Sequence, residues 1–487
     1  MNILKDAGSF AAISKEEIDK LVEHEGNIEE NNAPHHHNPE VQKTIRRLSL
    51  VWITDSTSKI LPKIFQKKHF YTQVIWIIFF VISSTVSFAL VIKYVKDYLE
   101  YKVDVKVEIV YEWPTKFPAI TFCNLNPFYK TRAEKFLNYT YPMVLNTIPN
   151  NKTVMSLANT QQELLRASTI INLSPADRKY VGHDIQDMLI SCFYNGIPCD
   201  EKNFSLTFNY YYGNCYTFNG DTNSKETSVS GIHSGLEVEV LVGNPYNAEL
   251  FNYKNGLHVA IHNHSVKPLI EIEGTEVPCG KQTNIAIKRT FISKLDWPYN
   301  DCINEFNATK SYLNSTLYSR LLYEFNGTTY RQKNCLNLCY QTKIVRDCGC
   351  TDPKFTYPAQ NETNTIPYVK PCKTNEQQKC LTESIKEYQS DSISEECSTY
   401  CKLECNSIYY SHSSSSASYP TRSYAKILSL ESKIMKQLSK NASNFELLKY
   451  SILKLNVFYE DMSYIRITES PGKLYDAAIY SKFYCDF

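Results

Sequence analysis

Phe70 to Ile92 is a run of 23 residues, FYTQVIWIIFFVISSTVSFALVI, without one charged side chain. At a helical rise of about 1.5 Å per residue the run extends roughly 34 Å, enough to cross a hydrocarbon core of about 30 Å with some tilt. It is too long for a signal-peptide core and begins well inside the chain, so it is expected to remain as a permanent membrane helix.

Lysine and arginine do not orient that helix. Lys59, Lys63, Lys67 and Lys68 precede it, while Lys93, Lys96, Lys102 and Lys106 follow, interleaved with Asp97, Glu100, Asp104 and Glu108. The positive-inside rule weights acids little, so the two flanks read alike. Cysteine and glycan acceptors separate them. All 16 cysteines lie after the run, and residues 1–69 hold no N-x-S/T acceptor. Acceptors follow at Asn138, Asn151, Asn203, Asn263, Asn307, Asn314, Asn326, Asn361 and Asn441, with a further one at Asn172 that Pro175 closely trails. This partition predicts a cytosolic N-terminus and an extracellular C-terminal part at the plasma membrane. A net charge of +1 with 21% charged residues implies no nucleic-acid partner.

The expected domains are a cytosolic segment over 1–69, the membrane helix over 70–92, an extracellular disulfide-rich region over 93–470, and a tail over 471–487. The first 40 residues are polar, and His35, His36 and His37 there read as solvated spacer rather than as metal ligands. Val103, Val105, Val107 and Ile109 alternate with Asp104, Lys106 and Glu108, which predicts a half-buried strand. Further strands are expected at Ser205–Phe218, Gly235–Val242, Gly256–His264 and Leu453–Thr468, and helices at Gln161–Ala167, Asp184–Asn195, Asn314–Tyr323 and Lys426–Tyr450. The exterior is therefore expected to be α+β. The two long uncharged segments beyond Ile92, Phe204–Gly220 and Asn406–Thr421, are rich in Tyr, Asn and Ser, so the residues as written are expected to cross the membrane once.

Cys335 and Cys339 are four apart, as are Cys397, Cys401 and Cys405. Residues at that spacing share a helical face, so two antiparallel helices would pair Cys335 with Cys401 and Cys339 with Cys397. Cys348 and Cys350 flank Gly349, point to one side of a strand in this reading, and each need a separate partner, with Cys372 and Cys380 nearest. Zinc is the alternative. The spacings lack C-x₂-C knuckles and an oxidising compartment removes free thiolates, which favours disulfides.

FPAITFCNLNPF at Phe117–Phe128 is closely similar to the segment that follows the first membrane helix in the epithelial sodium channel/degenerin family, which includes acid-sensing and peptide-gated channels. GNCYTFN at Gly213–Asn219, the V-x-I-H ending of Gly256–His262, CLNLCYQTKIVRDCGC at Cys335–Cys350, the stretch from Cys397 through Tyr419-Pro420, and LNVFYEDMSY at Leu455–Tyr464 extend the resemblance from about Trp52 to Pro471. The resemblance implies a trimeric, amiloride-sensitive sodium or cation channel with two membrane helices per subunit and a clenched-hand ectodomain. It also implies a ligand such as an extracellular peptide or the proton, and related channel subunits as partners. It further implies the pairs Cys123–Cys215, Cys192–Cys199, Cys302–Cys405, Cys335–Cys401, Cys339–Cys397, Cys348–Cys380 and Cys350–Cys372, leaving Cys279 and Cys485 over.

Two places depart from the family. Its cytosolic His-Gly aligns best with Lys59-Ile60, where a β-branched residue removes access to positive φ. After Glu469-Ser470-Pro471 the family enters its second, pore-lining helix, whereas this sequence reads GKLYDAAIYSKFYCDF. The 487 residues are accordingly expected to be non-conducting alone, as a truncated or modulatory subunit.

Pro298-Tyr299, ahead of Cys302, resembles the position where the family places an aromatic near the joint between ectodomain and membrane helices, which makes Tyr299 a gating candidate, with an ordinary exposed tyrosine in a chain that holds 36 of them as the equal alternative. His258, His262 and His264 share parity in an expected strand, a row able to bind a metal or sense protons, against the plainer reading of an ordinary strand. The sequence shows no phosphate loop, G-x-S-x-G elbow or H-E-x-x-H pair, so neither an enzyme nor a cofactor is expected. The rival of the same topology is a single-pass receptor or adhesion ectodomain.

Overall fold

A computed structural model describes residues 70–129, 132, 175–220, 224–243, 254–264, 266, 268–303, 330–352, 354–355, 369–372, 374–389, 397–431 and 445–472. The chain divides into two compact units, Met1–Lys96 and Asp97–Phe487. The expected helices at Gln161–Ala167 and Asn314–Tyr323 lie outside the described residues.

The apolar run forms helix α1, Phe70–Leu99, and continues past Ile92 through Lys93, Tyr94, Val95 and Lys96 without a proline or glycine to stop it. None of its residues is buried. Among the described residues it is the one helix long and apolar enough to cross a membrane.

The second unit is built on two sheets. The larger is assembled from strands β1 (Val103–Tyr111), β4 (Leu189–Tyr194), β5 (Ile197–Pro198), β9 (Leu236–Leu241), β12 (Lys281–Ser293), β15 (Asn406–Ser418) and β16 (Ile452–Pro471), in the order β15-β12-β16-β9-β4-β5. β16 is long enough to serve two neighbours on one side. Ile452–Val457 pair with β9, and Ser463–Pro471 pair with β1, while β12 runs parallel along its other edge. That parallel register shifts between Ile287 and Arg289.

The smaller sheet has the order β11-β10-β3-β7-β6, from β3 (Ala119–Asn124), β6 (Phe204–Asn209), β7 (Gly213–Phe218), β10 (Gly256–His262) and β11 (Thr275–Pro278). β3 and β7 are buried at every position, so both of their faces are covered. Ile120, Phe122, Tyr216 and Phe218 join Leu236, Val238, Ile285, Ile287, Leu455 and Val457 of the larger sheet in one core. Burying aliphatic and aromatic side chains of this size contributes about 1.5 to 3 kcal/mol each.

Two short sheets complete the strands: β2 (Thr115–Lys116) with β8 (Glu226–Thr227), and β13 (Cys302–Ile303) with β14 (Leu403–Glu404). The helices are α2 (Pro175–Val181), α3 (Ile185–Met188), α4 (Gln332–Cys348), α5 (Asn375–Gln389), α6 (Arg422–Glu431) and α7 (Phe445–Ser451). α4 and α5 pack through Tyr340, Ile344 and Leu381.

Several local expectations need correction. Asp184–Asn195 is not a helix: Asp184 caps the single turn of α3, and Leu189–Tyr194 then pairs with β9. Cross-strand pairing wins there because Ile190, Phe193 and Tyr194 are good strand formers. Ser205–Phe218 is a hairpin rather than one strand, since Asn209 Oδ1 accepts the N–H of Tyr211 at 2.8 Å and turns the chain. Lys426–Tyr450 begins in α6 and ends in α7, with 432–444 outside the described residues. Cys348 and Cys350 do not share a strand, because Cys348 ends α4 and Gly349 takes the left-handed conformation of a helix stop, φ 65°. β1 has the predicted period, but its apolar face is open: Val105, Val107 and Ile109 are all exposed.

Candidate functional site

The two ends of the β1–β16 ladder meet at Val103 opposite Pro471, and Gly472 N–H donates to Lys102 C=O at 2.7 Å. Lys102 is three residues past the end of α1 in the chain. The ladder therefore brings Gly472 back beside Lys102.

Tyr101 begins this junction with φ 46°, a left-handed conformation that aims its side chain away from the strand line. Its ring meets Tyr299 edge to face, with centroids 5.6 Å apart and planes at 83°. Tyr299 is thus half-buried against Tyr101. The loop carrying it is fastened from two sides. Glu469 Oε2 on β16 accepts from Leu295 N–H at 3.1 Å and from Asn300 Nδ2 at 2.7 Å. Cys302 is joined to Cys405, and β13 runs parallel to β14 beside that bond. Glu469, Tyr299 and Tyr101 therefore link the Cys302–Cys405 bond, β16 and β1 into one mechanical connection.

At the far end of β1, Glu112 and Thr115 receive Arg289 from β12. Arg289 Nη2 donates to the Glu112 carboxylate and, at 2.8 Å, to Thr115 Oγ1, while Thr115 Oγ1 donates to Glu112 Oε2 at 2.6 Å. The guanidinium is 5% exposed and lies 4.8 Å from the Phe291 ring and 4.9 Å from that of Tyr464. Burial alone would raise the Glu112 carboxyl, yet hydrogen bonds from Thr115 and Arg289 and the guanidinium charge together hold it below the usual carboxylate range. The pair sits where β16 slips register against β12, so it fastens the end of β1 across the irregular part of the sheet.

A second polar cluster lies on β9 of the larger sheet. Glu239 Oε1 accepts from Tyr419 at 2.8 Å and Tyr424 at 2.7 Å, and Oε2 accepts from Ser191 at 2.9 Å. Lys454 approaches Oε1 at 3.8 Å. Neither cluster was singled out from the sequence. For Arg289 a signal was present, since Ile285, Ile287 and Arg289 share parity on a strand whose other face carries Lys288.

The histidine row is not a site of the expected kind. His264 lies in a turn beyond β10 and so shares no strand face with the others. His258 stacks on Tyr212 at 4.6 Å, its Nε2 within 2.8 Å of Ile270 O. His262 Nε2 lies 2.8 Å from Thr121 Oγ1 and its Nδ1 3.0 Å from Asn263 O, and burial pushes its pKa down to about 4. These imidazoles are committed to the core. Among the described residues no group of three or more His, Cys, Asp or Glu is placed to hold a metal ion.

The structure joins Cys123 to Cys215 across β3 and β7, Cys192 to Cys199 across the β4–β5 turn, and Cys335 and Cys339 of α4 to Cys401 and Cys397. Cys348 is joined to Cys380 of α5, and Cys350 to Cys372. Cys405 follows β14 instead of extending a helix from Cys401. Cys279 is free, and burial pushes its thiol up to about 12. Of the glycan acceptors, Asn203 ends a 3₁₀ turn, where its Oδ1 accepts from Asp200 N–H at 3.0 Å, and Asn263 follows β10. Asn138, Asn151, Asn172, Asn307, Asn314, Asn326, Asn361 and Asn441 lie outside the described residues, as do His35–His37, Lys59, Ile60 and Cys485.

A helix fit to cross a membrane and a disulfide-rich α+β unit with a β1–β16 ladder are the described parts of the chain. The amiloride-sensitive sodium channel family matches residues 53–473, and the chain belongs to that family. It is 28% identical to the epithelial sodium channel subunit gamma of Xenopus laevis over 331 residues, covering 66% of this chain and 46% of that protein. It is 29% identical to the gamma subunit of Mus musculus, over 61% of this chain and 43% of that protein, and 28% identical to that of Homo sapiens over the same shares. The chain spans about half the length of the curated relatives it matches.

Proposed function

We propose that the chain is a subunit of a sodium-selective or cation channel, assembled as a trimer with copies of itself or with related subunits at the plasma membrane. The observation that supports this is the Lys102–Gly472 closure of the β1–β16 ladder, together with the family match over residues 53–473. The Tyr101–Tyr299 contact and the Glu469 hydrogen bonds tie the loop before Cys302 to the start of β1, the part of the second unit that follows α1 in the chain, and to the end of β16. In this proposal the N-terminus is cytosolic, the second unit is extracellular and glycosylated, and an extracellular ligand such as a peptide or the proton drives gating. The protein acts by conduction or by modulating it, not as an enzyme.

The 487 residues expressed by themselves are proposed to be non-conducting, because a pore needs a lining and these residues carry one long apolar run. They act instead through partner subunits. The test is stepwise: recovery of the chain from the cell surface in a complex with intact family subunits, then current with and without those subunits. An amiloride-sensitive current from the 487 residues alone, in cells lacking related subunits, contradicts the modulatory part. Failure to recover any complex with copies or relatives contradicts the subunit reading itself.

A further inference from the structure

A cavity of about 650 Å³ opens between the smaller sheet, the larger sheet and the start of α4. Its walls include Val266, Phe291, Ile408, Tyr409 and Ile467, so most of what it offers is apolar. The volume lies in the range that holds a small organic molecule.

The charged groups around it are not equivalent. Glu273 is engaged by both guanidinium nitrogens of Arg331, one at 3.1 Å, and by Lys333 Nζ at 3.1 Å. Those partners, working against burial that would raise it, hold the Glu273 carboxyl below its usual range. Glu404 Oε2 accepts the Gln332 N–H at 3.1 Å, at the first turn of α4, where Arg331 supplies no side-chain cap. Both carboxylates of the cavity are thus committed, one to cations and one to a helix start. Arg466 differs. It donates to Tyr464 Oη at 2.5 Å and lies 5.4 Å from that ring, and it has no ion-pair partner among the described residues. His412 adds another nitrogen donor or acceptor to the same lining.

We propose that this cavity binds a small amphipathic organic anion, with one carboxylate on Arg466 and an aromatic or aliphatic body against Phe291, Ile408 and Ile467. A guanidinium recognises a carboxylate through paired N–H donors, and the apolar part of the lining adds contact with the body of the ligand. An organic cation is disfavoured, since it meets Arg466 and finds both carboxylates engaged. Inorganic anions gain nothing from the apolar walls. The site goes beyond the channel reading, and occupancy is measured directly, so it stands or falls without a current.

The experiment is ¹⁹F NMR on the full 487-residue chain in detergent micelles, with 4-(trifluoromethyl)phenylacetate as probe and its primary amide as the neutral match. The expected result is saturable binding of the acid, with the amide at least tenfold weaker. Arg466→Gln should bring acid and amide together, and Arg466→Lys should retain part of the preference. Ile408→Trp fills the cavity with Arg466 intact and should abolish binding of the acid, with disulfide mapping as the check on folding. No saturable binding of the acid, equal binding of acid and amide, or an unchanged preference in Arg466→Gln overturns the proposal.

Discussion

Arg289 and Glu112 stand 177 residues apart in the chain and form a hydrogen-bonded ion pair that fastens the end of β1 to β12 of the larger sheet. Removing the carboxylate leaves a guanidinium that is 5% exposed without its charge partner, a costly arrangement in a low-dielectric interior. Glu112 itself is 39% exposed, so solvent takes up part of that cost. Glu112→Gln is expected to destabilise the protein by roughly 1 to 3 kcal/mol, read as a shift in denaturant midpoint. Because the folded carboxyl lies below its unfolded value, the pair contributes fully above the ordinary carboxylate range and is lost as pH falls through the folded pKa. The wild-type and Glu112→Gln midpoints should therefore converge under acid.

His262 also loses stability in acid, but because burial favours its neutral form. Its folded pKa of about 4 lies below the ordinary 6.5, so the unfolded chain binds the proton first as pH falls. Stability from neutral His262 is present above pH 6.5 and declines between that value and about 4. At pH 5 this loss is on the order of 2 kcal/mol. His262→Gln should flatten the stability profile between pH 7 and 5, although it lowers stability at pH 7 through the altered contact with Thr121.

Glu239 gathers three hydroxyls, and if the carboxylate is deleted that of Tyr419 becomes an unpaired buried donor while those of Tyr424 and Ser191 are half-buried. Glu239→Ala is expected to cost about 3 to 5 kcal/mol, against about 1 to 2 for Tyr419→Phe, which removes one donor and leaves the others in place. Thermal unfolding of the two variants side by side checks the ranking.

Each of the bonds between α4 and the 397–401 segment closes a long loop, 66 residues for Cys335–Cys401 and 58 for Cys339–Cys397. Replacing Cys339 and Cys397 together by Ser should cost about 2 to 5 kcal/mol and reduce delivery to the cell surface. Peptide mapping under oxidising conditions should recover both linkages from surface protein, and four free thiols there would contradict them.

The membrane run was legible because charge exclusion over a bilayer length admits few other readings, and strands β9, β10 and β16 were legible because period-2 patterns faced a core. The Asp184–Asn195 segment misled because its local pattern suits a helix, while the decision lay with β9, which is remote in sequence. β1 misled in another way: its alternation is genuine, but period fixes which residues share a face, not whether anything covers that face. Tyr299 was placed by resemblance, whereas its partner Tyr101 depends on a left-handed turn that no composition rule announces. Arg289 was hard to single out because the Lys288-Arg289 pair reads as a solvated stretch, and its carboxylate sits far away at Glu112.

Sodium current in cells expressing intact family subunits, with and without the 487-residue chain, tests the central claim most directly. The chain should change the amiloride-sensitive current when surface labelling shows it in the same complex, and Tyr299→Ala in this chain alone should alter that change by loosening the Tyr101 contact. A current indistinguishable from that of the partner subunits, with the chain present beside them at the surface, would contradict the assignment of this protein as a channel subunit.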